Sequence, residues 1–139
     1  AESLIEEVEK MVEEKIAEQK LSEKEQKEIK EAVSIGAIKY SILRQAIGGD
    51  IIFDLEKSLS LDGDSGPYLQ YALVRARSIL AASTVGDGAA LQFAGEVPTL
   101  ARLISRFPGV VARAQALQAP HAITQYLPQL AREWNSYYA

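Results

Sequence analysis

The 139-residue chain has no cysteine and a single histidine, His121. The first absence excludes disulfides, thiolate metal sites and a thiol nucleophile, and it fits a reducing compartment. The second excludes a metal site built from several imidazoles. No apolar run approaches the ~20 residues of a membrane-spanning helix, and no charged-then-apolar leader is present, so neither a membrane partner nor secretion is indicated. Carboxylates cluster only along the strongly charged first helix, where solvation explains them. No nucleophile–base pair stands out, so no catalytic residue and no metal ligand is assigned.

What is there is an apolar share of 47%, enough for a real core in one domain or a piece of one. The net charge of −4 argues against nucleic acid when read alone, but its distribution does not. Residues 1–31 carry 11 acids and 6 bases, a net of −5. From Ser65 onward there are 6 arginines and no lysine, against Asp87, Glu96 and Glu133, a net of +3. That bias suits a docking surface of modest salt dependence rather than tight non-specific binding.

Hydrophobic periodicity predicts helices almost throughout. Leu4, Ile5, Val8, Met11, Val12 and Ile16 form a stripe on an amphipathic helix within 1–21. Ser22-Glu23-Lys24-Glu25 reads as a capping box opening a helix to about Arg44, whose buried face would be Ile29, Ala32, Val33, Ala37, Tyr40 and Leu43. Gly36 inside it costs about 1 kcal/mol against alanine, which suggests a close approach by another helix or a small kink. Lys39 and Arg44 could face phosphate, although surface positions explain them as well. Gly48-Gly49 ends that helix, Asp50 to Asp54 reads as an extended connector, and Glu56 to Leu59 as one helical turn. Residues 84–96 read as a flexible loop, with one turn expected at Leu91 to Phe93. Within 97–139, Pro108-Gly109 is expected to split one helix from the next, and Pro128 to kink or break the last one. His121 reads as a capping or packing residue. Both ends of the chain read as cuts in a longer protein.

The centre of the chain, within the core helices of 22–83, is Asp62-Gly63-Asp64-Ser65-Gly66-Pro67, a turn running straight into a helix that ends near Ser83. Ser65 can cap and Pro67 fits a first helical position. Leu69, Ala72, Leu73, Ala76, Ile79 and Leu80 fall on one stripe. Tyr68, Tyr71, Arg75 and Ser78 fall on one flank, and Gln70, Val74 and Arg77 on another. Two tyrosines and two arginines beside an apolar stripe suit RNA binding, and they suit packing at a helix seam equally well.

Gly63-Asp64-Ser65-Gly66-Pro67-Tyr68-Leu69-Gln70-Tyr71-Ala72, followed by Arg75, Arg77, Ser78 and Ile79, resembles the signature that opens the tRNA-binding helical domain of arginyl-tRNA synthetases. Ile35-Gly36-Ala37-Ile38-Lys39-Tyr40 resembles that family's G-A-[IV]-K-Y segment, and Pro120 to Leu127 its P-H-x-[IL]-x-x-Y-L pattern. Asn135-Ser136 with Tyr138 matches the continuation, and Leu100-Ala101-Arg102-Leu103 is a looser likeness. Ala122 departs from the family, which often has a basic residue there, and so does Pro128. The resemblance covers nearly the whole chain.

It implies an all-α fold: an irregular helical bundle of about six helices over 1–139, the anticodon-binding domain of a class I aminoacyl-tRNA synthetase. It implies a parent that uses ATP with Mg to attach arginine to its tRNA in the cytoplasm. The H-I-G-H and K-M-S-K signatures of that chemistry are not in this sequence, so this stretch would be inactive alone and would hold no cofactor. Its partners would be the tRNA for arginine and the catalytic domain of the same parent chain, the parent acting as a monomer. Cut from those neighbours, the stretch would dimerise or fray at its last helix. The tRNA-facing candidates are Asp64, Ser65, Tyr68, Gln70, Tyr71, Arg75 and Arg77, with Arg102 and Arg106 as a second strip. The alternative is a helical protein-interaction module without RNA binding, which the acidic first helix favours.

Overall fold

Leu4, Val8, Val12 and Ile16 recur every fourth residue, and α1 (Glu2–Ile16) buries the last three of that row, with Leu4 partly buried and Val8 fully enclosed. The computed structural model of the chain describes residues 2–83 and 95–138. It contains α1, α2 (Glu23–Leu43), α3 (Leu55–Ser58), α4 (Gly66–Ala82), α5 (Thr99–Ala116) and α6 (His121–Tyr138), and no strand among the described residues. The chain divides into two compact units, Ala1–Tyr68 and Leu69–Ala139. The predicted loop at 84–96 and the turn at Leu91 to Phe93 lie outside the described residues, except for Gly95 and Glu96.

In the first unit α1 packs on α2 around Val8, Val12, Ile16, Ala37 and Leu59, with Met11, Val33, Ile38 and Phe53 partly buried against them. The capping box forms. The Ser22 N–H and hydroxyl both donate to Glu25 Oε2, at 2.8 and 2.6 Å. The Ser22 hydroxyl first, and the Ser22 backbone N–H second, hold the Glu25 carboxyl below its ordinary range. The buried face of α2 agrees with expectation at Ala37 and Tyr40, with Ile29 and Val33 partly buried, and differs elsewhere. Ser34 and Ser41 are also buried, while Ala32 and Leu43 are exposed. The helix closes at Leu43, ahead of Gly48-Gly49, with the Arg44 N–H bonded to the Tyr40 carbonyl. Residues 51–54 carry no strand. The Gln45 side chain stands in for a strand partner, giving its amide to the Ile52 carbonyl at 3.1 Å and taking the Ile52 N–H at 3.3 Å.

In the second unit α5 packs on α6. Pro108 does not split this region, and α5 runs unbroken from Thr99 to Ala116. Pro108 removes one bond, the one its N–H would give to the carbonyl of Ile104, and both Pro108 and Gly109 lie at the exposed surface where water can replace it. Leu103 before the proline and Ala114 after it are both buried. Pro128 is likewise carried inside α6 without a break. The apolar stripe expected for α4 is too wide: Leu73 and Leu80 are exposed, as are Ile104 and Phe107 of α5 and Leu117 at its C-cap.

The turn from α5 to α6 is a Schellman motif. The Ala119 N–H reaches the Ala114 carbonyl at 2.8 Å and the Gln118 N–H the Gln115 carbonyl at 3.1 Å. Gln118 takes the left-handed position with φ of 49°, where a Cβ is strained. Gln118→Gly is therefore expected to stabilise the fold by about 1 kcal/mol in denaturant unfolding. A lowered midpoint would contradict this account of the turn.

Candidate functional site

Helix α4 opens as the sequence suggests, one residue early. Ser65 is buried, and its Oγ accepts the Tyr68 N–H at 3.1 Å in the manner of an N-cap. The same hydroxyl donates to the Ser60 carbonyl. Gly66 and Pro67 fill the first two helical positions, where a missing N–H costs nothing. The cap is pressed against α2. A Cβ on Gly66 would stand 2.7 Å from the Gly36 carbonyl oxygen and 3.0 Å from the Ala37 Cα. Two motifs that lie apart in the sequence therefore meet, and the close approach expected at Gly36 is the one made by Gly66.

Asp64 completes that junction. Its carboxylate accepts from the Tyr40 hydroxyl and pairs with the Arg44 guanidinium, which also reaches the Asp64 carbonyl at 3.4 Å. Asp64 and Arg44 are both about two-fifths exposed, so water screens the pair and limits its contribution to a fraction of a kcal/mol up to about 1 kcal/mol. Its larger effect is geometric. Tyr40 on α2 and Arg44 at its C-cap, four residues apart, fix the turn that starts α4. Gly63 takes a φ of +85° in that turn, a conformation suited to glycine.

In the second unit the polar flank of α4 gathers around Arg75. Its guanidinium lies over the Tyr71 ring at 5.5 Å and donates to Asn135 Oδ1 of α6 at 3.3 Å. Tyr71 is half exposed. Gln70 is partly buried on the same helix, and Arg77 is exposed. On α5, Arg102 is engaged by Glu96 at 3.2 Å and by the Thr99 hydroxyl at 3.1 Å, whereas Arg106 is exposed.

Of the nine candidates, Asp64, Ser65 and Tyr68 belong to the first unit and the other six to the second. Ser65 and Tyr68 are buried in the cap. Tyr71 and Arg75 form one cluster, and Arg77, Arg102 and Arg106 offer cations. Periodicity does not point to Tyr40, Arg44 and Asn135 as partners of this group. For two of them the signal lies in the motifs themselves, since Tyr40 ends one and Asn135 opens another.

The DALR anticodon binding domain model matches residues 69–139, the stretch that holds Tyr71, Arg75 and Asn135. This chain belongs to the DALR anticodon-binding domain family. An arginine–tRNA ligase of Oenococcus oeni is 40% identical over 117 residues, covering 80% of this chain and 20% of that protein. The ligase of Deinococcus radiodurans is 36% identical over 118 residues, covering 80% of this chain and 19% of its own length. The solved Thermus thermophilus arginyl-tRNA synthetase superposes with a TM-score of 0.84 at 32% identity, over 99% of this chain and 24% of that one. The chain thus spans about a fifth of the length of the curated relatives it matches. The family membership agrees with the all-α fold, and the match to the Thermus structure extends the likeness to the first unit.

Proposed function

We propose that this chain is the tRNA-docking region of an arginine–tRNA ligase, a cytoplasmic enzyme that attaches arginine to its tRNA with ATP. The observation that carries this reading is the match to the Thermus synthetase across 99% of the chain, joined to a family model whose residues include the Tyr71–Arg75–Asn135 cluster. The role assigned to the chain is holding, not chemistry. Its residues do not fit ATP with Mg: among the described residues no group of three or more His, Asp or Glu is placed to hold a metal ion, and neither synthetase signature occurs in the sequence. No chemical step is routed through them.

The holding chemistry follows from the side chains. Arg75 braces one face of Tyr71, leaving a half-exposed aromatic surface on which an unpaired base can stack, worth about 1–3 kcal/mol. Arg77 and Arg106 are exposed cations suited to phosphate. Arg102 would have to exchange Glu96 for phosphate, which lowers its net gain. Asp64 acts from within the protein, by setting the turn. Exposed Ile47, Ile51, Ile52 and Leu61 suit contact with the catalytic domain of the parent chain.

In the whole enzyme, Arg75→Glu combined with Arg77→Glu is expected to raise KM for tRNA by about tenfold or more and to leave arginine activation unchanged. Arg77→Glu alone, at an exposed position, separates docking from folding. A KM that does not move in either variant would overturn the assignment of this face.

A further inference from the structure

The left-handed turn at Gln118 folds the end of α5 back against the start of α6, and a cleft of about 170 Å³ lies at that corner. Val110 and Ala122, both partly buried, and buried Ala119 give it an apolar floor. Exposed Arg113 and Gln125 stand at its rim. His121 lines it too, with its Nδ1 shielded from solvent and without a hydrogen-bond partner among the described residues. His121 and Gln125 are one turn apart on α6, so their side chains rise from the same face.

We infer that this cleft receives a single unpaired nucleobase of the docked RNA, a subsite separate from the Tyr71–Arg75 cluster. The inference rests on the tRNA-docking reading. Size sets the first limit: pockets that take a whole drug-sized ligand begin at about 300 Å³, so this one admits a single planar ring and leaves the sugar and phosphate outside. Chemistry sets the second. One arginine is a sparse lining for a phosphate, which draws several donors, whereas apolar walls cover the faces of a ring. The polar groups match the edge of a base: arginine and glutamine both make paired hydrogen bonds to base edges, and the shielded Nδ1 adds one further donor or acceptor. RNA that is read by sequence offers such bases in its loops, splayed out of the stack.

His121 is the only histidine, so its imidazole signals report on this cleft without any assignment problem. The test titrates the 139-residue chain with the anticodon stem-loop hairpin of an arginine tRNA, with hairpins made abasic at one loop position at a time, and with inorganic phosphate and ribose at matched pH. Binding is followed by fluorescence anisotropy and the His121 imidazole by NMR. The expected result is a His121 shift with the hairpin that disappears for one abasic position and is absent with phosphate or ribose. Gln125→Met and Arg113→Met, both surface changes, are expected to weaken the hairpin about tenfold and to shrink the shift. A hairpin that binds while His121 stays still overturns the pocket and leaves docking intact. An equal shift with phosphate alone makes the cleft an anion site and also overturns it. A hairpin that fails to bind at low salt removes the docking reading, and the pocket with it.

Discussion

Gly66→Ala is expected to destabilise the protein by about 3 kcal/mol or more, at the upper end of what overpacking costs. The reason is the nature of the neighbours. The added methyl would meet the Gly36 carbonyl oxygen at 2.7 Å, the Gly36 carbonyl carbon at 2.8 Å and the Ala37 Cα at 3.0 Å, all backbone atoms of a helix. No side chain can swing aside, so the start of α4 must shift away from α2. That shift would pull the turn at Asp64 off Tyr40 and Arg44. Gly109 supplies the control. It also lies within a helix, but a Cβ there would meet nothing within 4 Å. Gly109→Ala is expected to stabilise by about 1 kcal/mol through helix propensity alone. The same substitution with opposite signs at two glycines, read by urea unfolding, separates close approach from propensity. Destabilisation at both positions, or at neither, would refute the packing described for the start of α4 on α2.

The second large effect is expected at Tyr126, the buried aromatic of α6. Its hydroxyl donates to the Leu103 carbonyl at 2.7 Å, and its ring lies 5.8 Å from that of Phe107. Tyr126→Ala removes a ring that is almost wholly enclosed and should cost about 3–5 kcal/mol. Tyr126→Phe should cost about 1 kcal/mol, since only the hydrogen bond is lost and the Leu103 carbonyl keeps its place in the helical ladder. Burial also pushes the Tyr126 hydroxyl above its ordinary pKa of 10.0. The unfolded chain therefore ionises first. The contribution of Tyr126 is complete below pH 10 and is lost as pH rises through the folded value. Unfolding measured from pH 8 to pH 11 should show that decline in the parent protein and a smaller one in Tyr126→Phe. Equal declines would remove Tyr126 as the source.

Much of this fold is legible in the residues themselves. The α1 stripe is a one-sided pattern, so Val8, Val12 and Ile16 stand out as its buried row. The capping box is local chemistry and forms as the four residues require. Gly36 signals a close contact because a glycine is costly inside a helix without a reason. The differences share a cause. Helix α4 carries Leu69, Leu73, Val74, Ile79 and Leu80 around most of its circumference, so periodicity alone does not choose the buried side. The break expected at Pro108 rests on a local penalty of about 3 kcal/mol, which packing on both sides of the proline outweighs. The ties of Arg44 to Asp64 and of Arg75 to Asn135 join residues 20 and 60 positions apart, and no local pattern encodes them. Family resemblance marks the motifs that contain most of these residues but gives no physical reason for their joint presence. The junction of Gly36, Tyr40, Arg44, Asp64 and Gly66 supplies one.

The central claim is that this chain grips tRNA through a small number of arginines. Its most direct test is binding of a labelled arginine tRNA transcript to the 139-residue chain over a stepped salt series. With two or three phosphates held, log affinity should fall linearly with log salt with a slope of about −2, and Arg77→Glu should flatten that slope. Affinity that does not change with salt, or no binding at the lowest salt, would contradict it.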